Sequence, residues 1–167
     1  MPSSNVNLVP TIVSLIFGCK PRRVLDVGPG RGKYGLLTRE YCSQWLERLD
    51  ACEAWGGYVT PILTAIYDHI RTGDVLGVSA NVLADYDLVL MLDVIEHLEK
   101  DAGLALLRRC PQRVIVATPM EFFQNPEADA IPPERHRSLW TKADFGDRIE
   151  NDQSAFGGIV LLLKPQG

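Results

Sequence analysis

The sequence predicts an α/β fold in which a mostly parallel sheet carries helices on both faces. Three observations support this prediction. Short apolar runs alternate along the chain with segments of helical periodicity. One run, Asp87–Leu92, is apolar after its first residue, as is typical of a central parallel strand covered on both sides. Another, Arg22–Val27, leads directly into Gly-Pro-Gly, which is typical of a strand that enters a tight turn.

The length and composition suit a single soluble domain. No repeat, low-complexity tract or linker divides the 167 residues, so residues 1–167 are interpreted as one domain with its own core. The hydrophobic share of 46% and the charged share of 23% are ordinary for a globular protein. The net charge of −4 predicts no nucleic-acid partner, because phosphate contacts need a basic face and Arg135 with Arg137 is a weak one.

Cysteine usage and the N-terminus predict a cytoplasmic protein. The four cysteines show neither a CxxC pair nor zinc-finger spacing, which indicates reduced thiols: Cys19, Cys42, Cys52 and Cys110. No charged segment precedes an apolar stretch at the N-terminus, and no apolar run approaches the roughly 20 residues that span a bilayer. We therefore expect no membrane contact.

Four segments are predicted to be helices. An N-terminal helix is expected within residues 1–20, over Val6–Gly18. The others are Lys33–Arg48, Pro61–Tyr67 and Leu98–Arg109, the last of which alternates apolar and charged residues. The second helix carries apolar side chains at spacings near three and four, which predicts its buried face: Leu36, Leu37, Tyr41, Trp45 and Leu49.

The remaining strands are predicted at Leu49–Ala54, just before Gly73-Asp74, at Arg113–Ala117 and at Ile159–Leu163. Residues 119–140 break the alternation of strands and helices. This segment is polar, contains prolines and is too long for an ordinary connection. A long loop inside a compact domain is typically a lid or a binding segment, so we interpret it as a lid or as part of the acceptor site.

The turn after the first strand is built to hold a ligand. Glycines let the backbone come close to a bound group, and the following helix N-terminus offers free N–H donors. Gly30, Gly32 and Gly35 even match the dinucleotide pattern G-x-G-x-x-G. However, Asp26 at the strand end would repel a pyrophosphate, whereas it would attract a cationic amine and sulfonium. The turn therefore fits S-adenosylmethionine better than NAD.

These residues resemble a known family. The segment Val24-Leu25-Asp26-Val27-Gly28-Pro29-Gly30-Arg31-Gly32 is similar to the first motif of class I S-adenosylmethionine-dependent methyltransferases. Downstream, Asp93-Val94-Ile95-Glu96-His97 resembles the D-x-x-E-H segment after the fourth strand of many small-molecule methyltransferases, including ubiquinone-pathway O-methyltransferases. The resemblance spans Arg22 to Pro119. It implies a seven-stranded sheet with a reversed last strand, and methyl transfer to oxygen or nitrogen of a small-molecule acceptor.

The resemblance also implies cofactor contacts, residue by residue. Glu53 matches the acidic residue that binds the ribose hydroxyls, although the interval from Asp26 is longer than usual for the family. Asp74 and Val75 match the adenine site. The full implied set is Asp26, Gly28, Gly30, Gly32, Glu53, Asp74, Val75 and Asp93.

Several alternatives stay open on the acceptor side. His97 and then His136 are the candidates for a general base, and a metal site is not expected, although Asp93, Glu96 and His97 would supply ligands for a divalent ion. The string His136–Trp140 either closes over the cofactor or grips the acceptor, or it is a surface segment whose tryptophan is an anchor in the core. The acceptor is bound by the N-terminal helix, by residues 119–140 or by a second subunit of a homodimer. The rival functions are a non-catalytic cofactor-binding module and an NAD-dependent oxidoreductase.

Overall fold

The computed structural model describes residues 5–110, 112–121 and 132–166. Its strands are β1 (Arg23–Val27), β2 (Arg48–Glu53), β3 (His69–Thr72), β4 (Leu88–Leu92), β5 (Arg113–Pro119), β6 (Ile149–Asp152) and β7 (Gly158–Leu163). They form one seven-stranded sheet in the order β3-β2-β1-β4-β5-β7-β6. Strands β1 to β5 pair in parallel, and β7 runs antiparallel to both of its neighbours. The seven strands and the reversed last strand confirm the prediction.

Helices cover both faces of this sheet, also as predicted. They are α1 (Val9–Cys19), α2 (Lys33–Cys42), α3 (Pro61–Ile66), α4 (Ala80–Leu83) and α5 (Lys100–Arg109). Helices α1, α2 and α3 contribute to one apolar layer, and α4 and α5 contribute to the other. Among the described residues no helix has the length and the apolar character to cross a bilayer.

Strand β4 is the central strand that its sequence predicts. All five of its residues are buried. Leu88, Leu90 and Leu92 join the layer with α1 to α3, whereas Val89 and Met91 join the layer with α4 and α5. Successive side chains of a strand point to opposite faces, so an uninterrupted apolar run supplies both cores at once.

The prediction for the second helix was wrong in length and in its buried face. Helix α2 ends at Cys42, and Arg48 already belongs to β2, where it is paired with Arg23 of β1. Leu36 and Tyr41 are 57% and 50% exposed. The buried residues are instead Tyr34, Gly35, Thr38 and Cys42. Gly35 on this buried side leaves room for the close approach of Tyr67, which helical spacing alone does not reveal.

Other differences concern short elements. Helix α1 begins at Val9 after a separate 3-10 turn, Val6–Leu8, so the predicted single helix is two pieces. Strand β6 and helix α4 were not predicted, because each has four residues and no sustained periodicity. Part of the predicted excursion at 119–140, residues 122–131, lies outside the described residues.

Trp140 is an anchor in the core of the protein. Its side chain is 1% exposed and stacks on Phe145, with the ring centroids 5.5 Å apart. The indole Nε1 donates hydrogen bonds to the Ile95 carbonyl oxygen at 3.0 Å and to Ser138 Oγ at 2.8 Å. The tryptophan therefore ties residues 138–140 to the turn that follows β4.

Replacing Gly103 by alanine tests this packing. Gly103 lies inside α5, where alanine would normally favour the helix by about 1 kcal/mol. A Cβ there would lie 2.6 Å from Trp140 Cζ2, so we expect a net loss of about 1–3 kcal/mol in the free energy of unfolding. Urea denaturation measures this loss of unfolding free energy. The matched control is Gly18→Ala in α1. A Cβ at Gly18 would have no atom of another part of the protein within 4 Å, so stability should rise slightly. Equal gains for both variants would contradict the packing argument.

Candidate functional site

A cavity with a volume of about 940 Å³ lies at the carboxyl ends of the parallel strands. The strand order reverses between β1 and β4, and open α/β sheets bind ligands at such a switch point. A volume near the upper end of the usual range for small-molecule pockets leaves room for a cofactor together with an acceptor group. The cavity wall includes residues at or just after the ends of β1 to β5.

The glycine turn forms one wall of the cavity. Gly28 and Gly30 line it and have φ angles of +62° and +56°, a region that favours glycine. A Cβ on Gly28 would also lie 2.9 Å from Val94 Cγ2. Gly32 does not line the cavity. Its φ is +81°, and a Cβ there would lie 2.8 Å from Ile66 Cδ1, so this glycine lets α2 begin against α3.

Asp26 is a buried carboxylate in the cavity wall. It is 2% exposed, and the Tyr67 hydroxyl donates a hydrogen bond to its Oδ2 at 2.6 Å. Burial raises the pKa of Asp26 to about 7, the Tyr67 hydrogen bond opposes this shift, and the nearby charge of Glu53 adds to it. Helix α2 begins after Gly32 without a side-chain cap, so Asp26 does not cap this helix.

The second and third strands bring further carboxylates to the same cavity. Glu53, at the end of β2, is 5% exposed, and its Oε1 accepts a hydrogen bond from the Trp55 amide at 2.8 Å. Burial raises the pKa of Glu53, and backbone N–H groups of Trp55 and Gly30 oppose the shift. After β3, Asp74 Oδ1 accepts from the Leu76 amide at 2.8 Å, and the neighbouring Val75 is 5% exposed. Asp74 therefore orders its turn and lines the cavity at the same time.

Asp93 follows the central strand and has an unusual backbone. Its φ is +56°, a conformation that aspartate tolerates better than most residues, and its amide donates to the Ala117 carbonyl oxygen at 2.8 Å. Lys33, in the first turn of α2, also lines the cavity. Burial lowers the pKa of Lys33, and the charge of Asp93 opposes that shift.

Three side chains next to Asp93 converge on one point. Glu96, His97 and His136 each offer one ligand atom, and these atoms lie within 4.8 Å of one another. Glu96 is 2% exposed, and the Thr118 hydroxyl donates to its Oε2 at 3.1 Å. Burial, followed by the charge of Asp93, raises the pKa of Glu96 to about 8. This cluster, Glu96 with His97 and His136, is called the acceptor-side cluster below.

The two imidazoles of the cluster are neutral near pH 7. Burial lowers the pKa of His97 and of His136 below the ordinary value of 6.5, and the proximity of His97 lowers that of His136 further. Their ring centroids are 5.0 Å apart. With the proton on Nδ1, His97 donates a hydrogen bond to the Arg135 carbonyl oxygen at 3.2 Å, and its Nε2 keeps a lone pair.

His136 reaches the cluster because its segment is fastened to the turn after β4. The amides of Arg137 and Ser138 donate to the Glu96 carbonyl oxygen at 2.7 and 3.1 Å. Ser138 Oγ donates to the Leu98 carbonyl oxygen at 2.8 Å, and Trp140 completes the attachment. The structure therefore brings together both predicted general-base candidates, which the sequence separates widely. The remaining histidine, His69, pairs with Asp50 away from the cavity.

Sequence reasoning missed several residues of this site. Thr118 could have been found, because it directly follows the predicted strand Arg113–Ala117 and lines the cavity. Tyr58, which donates a hydrogen bond to Glu134 across the cavity wall, and Tyr67 carry no sequence signal. Phe156, in the turn before β7, lines the cavity with a φ of +52° and was likewise not predicted.

Solved structures share this architecture. A proposed O-methyltransferase from Nostoc punctiforme matches over 95% of this chain with a TM-score of 0.68 and 19% identity. Magnesium protoporphyrin IX methyltransferase from Synechocystis, solved with bound S-adenosylhomocysteine, matches over 96% with a TM-score of 0.67 and 17% identity. The methyltransferase domain of a bacterial Hen1 protein matches over 96% with a TM-score of 0.62 and 18% identity.

The fold is that of the class I methyltransferases. The chain spans 56% of the Nostoc protein, 82% of the Synechocystis enzyme and 100% of the Hen1 domain. No protein-family model and no curated protein matches the sequence. At these identities the likeness concerns the fold.

Proposed function

We propose that this protein binds S-adenosylmethionine in the cavity and transfers its methyl group to oxygen or nitrogen of a small-molecule acceptor. One observation carries the proposal. Four carboxylates at the carboxyl ends of neighbouring strands line a single cavity together with the glycine turn: Asp26, Glu53, Asp74 and Asp93. Magnesium protoporphyrin IX methyltransferase, which shares the fold, has been solved with both S-adenosylhomocysteine and S-adenosylmethionine bound.

The charge of the cavity supports this cofactor over NAD. Asp26 lies beside the glycine turn, and Glu53, Asp74 and Asp93 line the same cavity, as do Arg31 and Lys33. A pyrophosphate next to the ionised Asp26 would be repelled, whereas an amine and a sulfonium would be attracted. In the proposed arrangement Asp26 acts on the cationic end of the cofactor. Glu53 accepts hydrogen bonds from the ribose hydroxyls, and Asp74 with Val75 contacts the adenine.

Methyl transfer is a displacement at a sulfonium carbon, so much of the catalysis is alignment of the acceptor with the methyl group. A base is needed where the acceptor must lose a proton during attack. We propose His97 for this role, because its imidazole is neutral near pH 7 and its Nε2 keeps a lone pair. His136 is the second candidate.

A second candidate for the acceptor-side cluster is a divalent cation. If His97 acted only as a base, the proximity of the buried Glu96 carboxylate and of His136 would have no explanation. Three ligand atoms within 4.8 Å of one another suit a bound ion. The donor set also fits, since neutral imidazoles and a carboxylate suit transition metals such as Mn²⁺ or Zn²⁺. The pKa of Glu96, raised in the ion-free site, would fall on binding, with release of a proton. A bound cation would stabilise negative charge on the acceptor.

Calorimetry with S-adenosylmethionine, S-adenosylhomocysteine and NAD tests the proposal. We expect the first two to bind at a single site and NAD to give no measurable heat. NAD binding without binding of the other two would overturn it in favour of an oxidoreductase. A screen of small-molecule acceptors with methyl-labelled cofactor then tests transfer. Cofactor binding without transfer to any acceptor would favour a non-catalytic module of the same fold.

A further inference from the structure

Gly35, the third glycine of the G-x-G-x-x-G pattern, is explained by packing and not by contact with a dinucleotide. Gly35 lies inside α2, where glycine costs about 1 kcal/mol relative to alanine. A Cβ at Gly35 would lie 2.2 Å from the hydroxyl oxygen of Tyr67 and 2.4 Å from its Cζ. Glycine at this position therefore makes room for the phenol ring of Tyr67.

Tyr67 uses that space to reach Asp26. It follows the last residue of α3, is 4% exposed, and its hydroxyl donates to Asp26 Oδ2 at 2.6 Å. Asp26 lines the cavity and Tyr67 does not. The tyrosine therefore contacts the carboxylate from the side away from the ligand space, with the backbone of α2 packed against its ring.

We propose that Tyr67 is a positioning residue for cofactor binding, because its hydroxyl orients the Asp26 carboxylate and stabilises its negative charge. The inference rests on the proposed function, in which Asp26 attracts the cationic end of S-adenosylmethionine. It assigns a role to a residue outside the glycine motif, and it explains why Gly35 is needed beside Gly30 and Gly32.

The charges around Asp26 give this role a measurable signature. Two titratable groups face the carboxylate, Glu53 from β2 and Tyr67 from the segment after α3. Burial raises the pKa of Asp26 to about 7, and the Tyr67 hydrogen bond opposes that shift. Burial, together with the charge of Asp26, raises the pKa of Tyr67, so the phenol keeps its proton and stays a donor. Without the hydroxyl, Asp26 would ionise at a higher pH.

The test is the substitution Tyr67→Phe, with S-adenosylhomocysteine as the probe in calorimetry at pH 6.5 and pH 8.5. A hydrogen bond to a charged group contributes enough for about a tenfold change in affinity. We expect binding to weaken about tenfold at pH 6.5, where the variant's Asp26 is largely protonated, and less than about twofold at pH 8.5. A purely structural role would weaken binding equally at both values.

Tyr86→Phe is the matched control. Tyr86 is also buried, and its hydroxyl donates to the buried carboxylate of Asp50 at 2.8 Å, but neither residue lines the cavity. This variant should bind the probe like the wild type at both pH values. A pH-independent ratio for Tyr67→Phe, or the same pH-dependent loss in Tyr86→Phe, would overturn the inference while leaving the proposed function intact.

A double-mutant cycle with Asp26→Asn keeps the test decisive if Tyr67→Phe lowers the stability of the fold. Once Asp26 cannot ionise, removal of the Tyr67 hydroxyl should no longer change the affinity at either pH. Additive losses in the double variant would contradict a role that acts through Asp26. Failure of the folded wild type to bind the probe would instead overturn the proposed function, and the positioning role with it.

Discussion

Replacing Asp26 by asparagine is expected to weaken binding of S-adenosylmethionine about a hundredfold and, at the same time, to stabilise the ligand-free protein. A carboxylate and a cation in contact inside a partly desolvated cavity attract each other by several kcal/mol, which corresponds to a loss of this size. Calorimetry at pH 7.5 measures the affinity. The shape of the side chain is retained, so the loss reports the charge.

Stability is expected to rise where affinity falls, because burial in the ligand-free protein disfavours the charged form of Asp26. The pKa of Asp26 is raised from 3.8 to about 7 in the folded protein. Such a group contributes stability that is fully present below its unfolded pKa and is lost as the pH rises through the folded value. The wild type should therefore lose stability between about pH 4 and pH 7 on account of Asp26, whereas Asp26→Asn should not.

Thermal unfolding at pH 5 and pH 8 without ligand measures the second effect. The midpoint of Asp26→Asn should exceed that of the wild type at pH 8, and the difference should shrink at pH 5. Asp50→Asn is the control, since Asp50 is also a buried carboxylate but does not line the cavity. This control should leave cofactor affinity unchanged. Normal affinity in Asp26→Asn would contradict the assignment of Asp26 to the cationic end of the cofactor.

Removing either imidazole of the acceptor-side cluster is expected to weaken binding of a divalent transition metal by a hundredfold or more. In the proposed site, His97 and His136 each offer one of three ligand atoms that lie within 4.8 Å of one another, and Glu96 offers the third. Loss of a ligand leaves two donors, too few to hold an ion against water at low concentration. Titration of the chelator-treated protein with Mn²⁺ and Zn²⁺ measures the effect in His97→Ala and His136→Ala.

His69→Ala is the matched control, because this exposed histidine pairs with Asp50 outside the cavity. It should bind the ion like the wild type. Equal ion binding in all four proteins would contradict the metal site. Once an acceptor is known, transfer that a chelator abolishes and Mn²⁺ restores would support the ion. Transfer that resists the chelator but is lost in His97→Ala would support the general base.

Much of the fold was predictable because its decisive signals are local. The run at β4 is apolar on both faces, which only a covered central strand tolerates. The glycine turn was predictable because a strand that ends in Gly-Pro-Gly cannot continue without bending. By contrast, the prediction of which face of α2 is buried was wrong. Its buried side is set by Gly35 and Thr38 rather than by its largest apolar side chains, and helical periodicity cannot distinguish the two arrangements.

The amino-acid sequence by itself determined the order of the elements, the site of the glycine turn and the carboxylate that precedes it, since these follow from residue types that are neighbours in the chain. Only the tertiary structure decided what Asp26 does there. Its partner Tyr67 lies 41 residues away, and the two meet because α3 packs against the first turn of α2. His136 likewise joins His97 only because Trp140 is anchored under the turn after β4. Contacts between distant residues depend on packing, which no local pattern encodes.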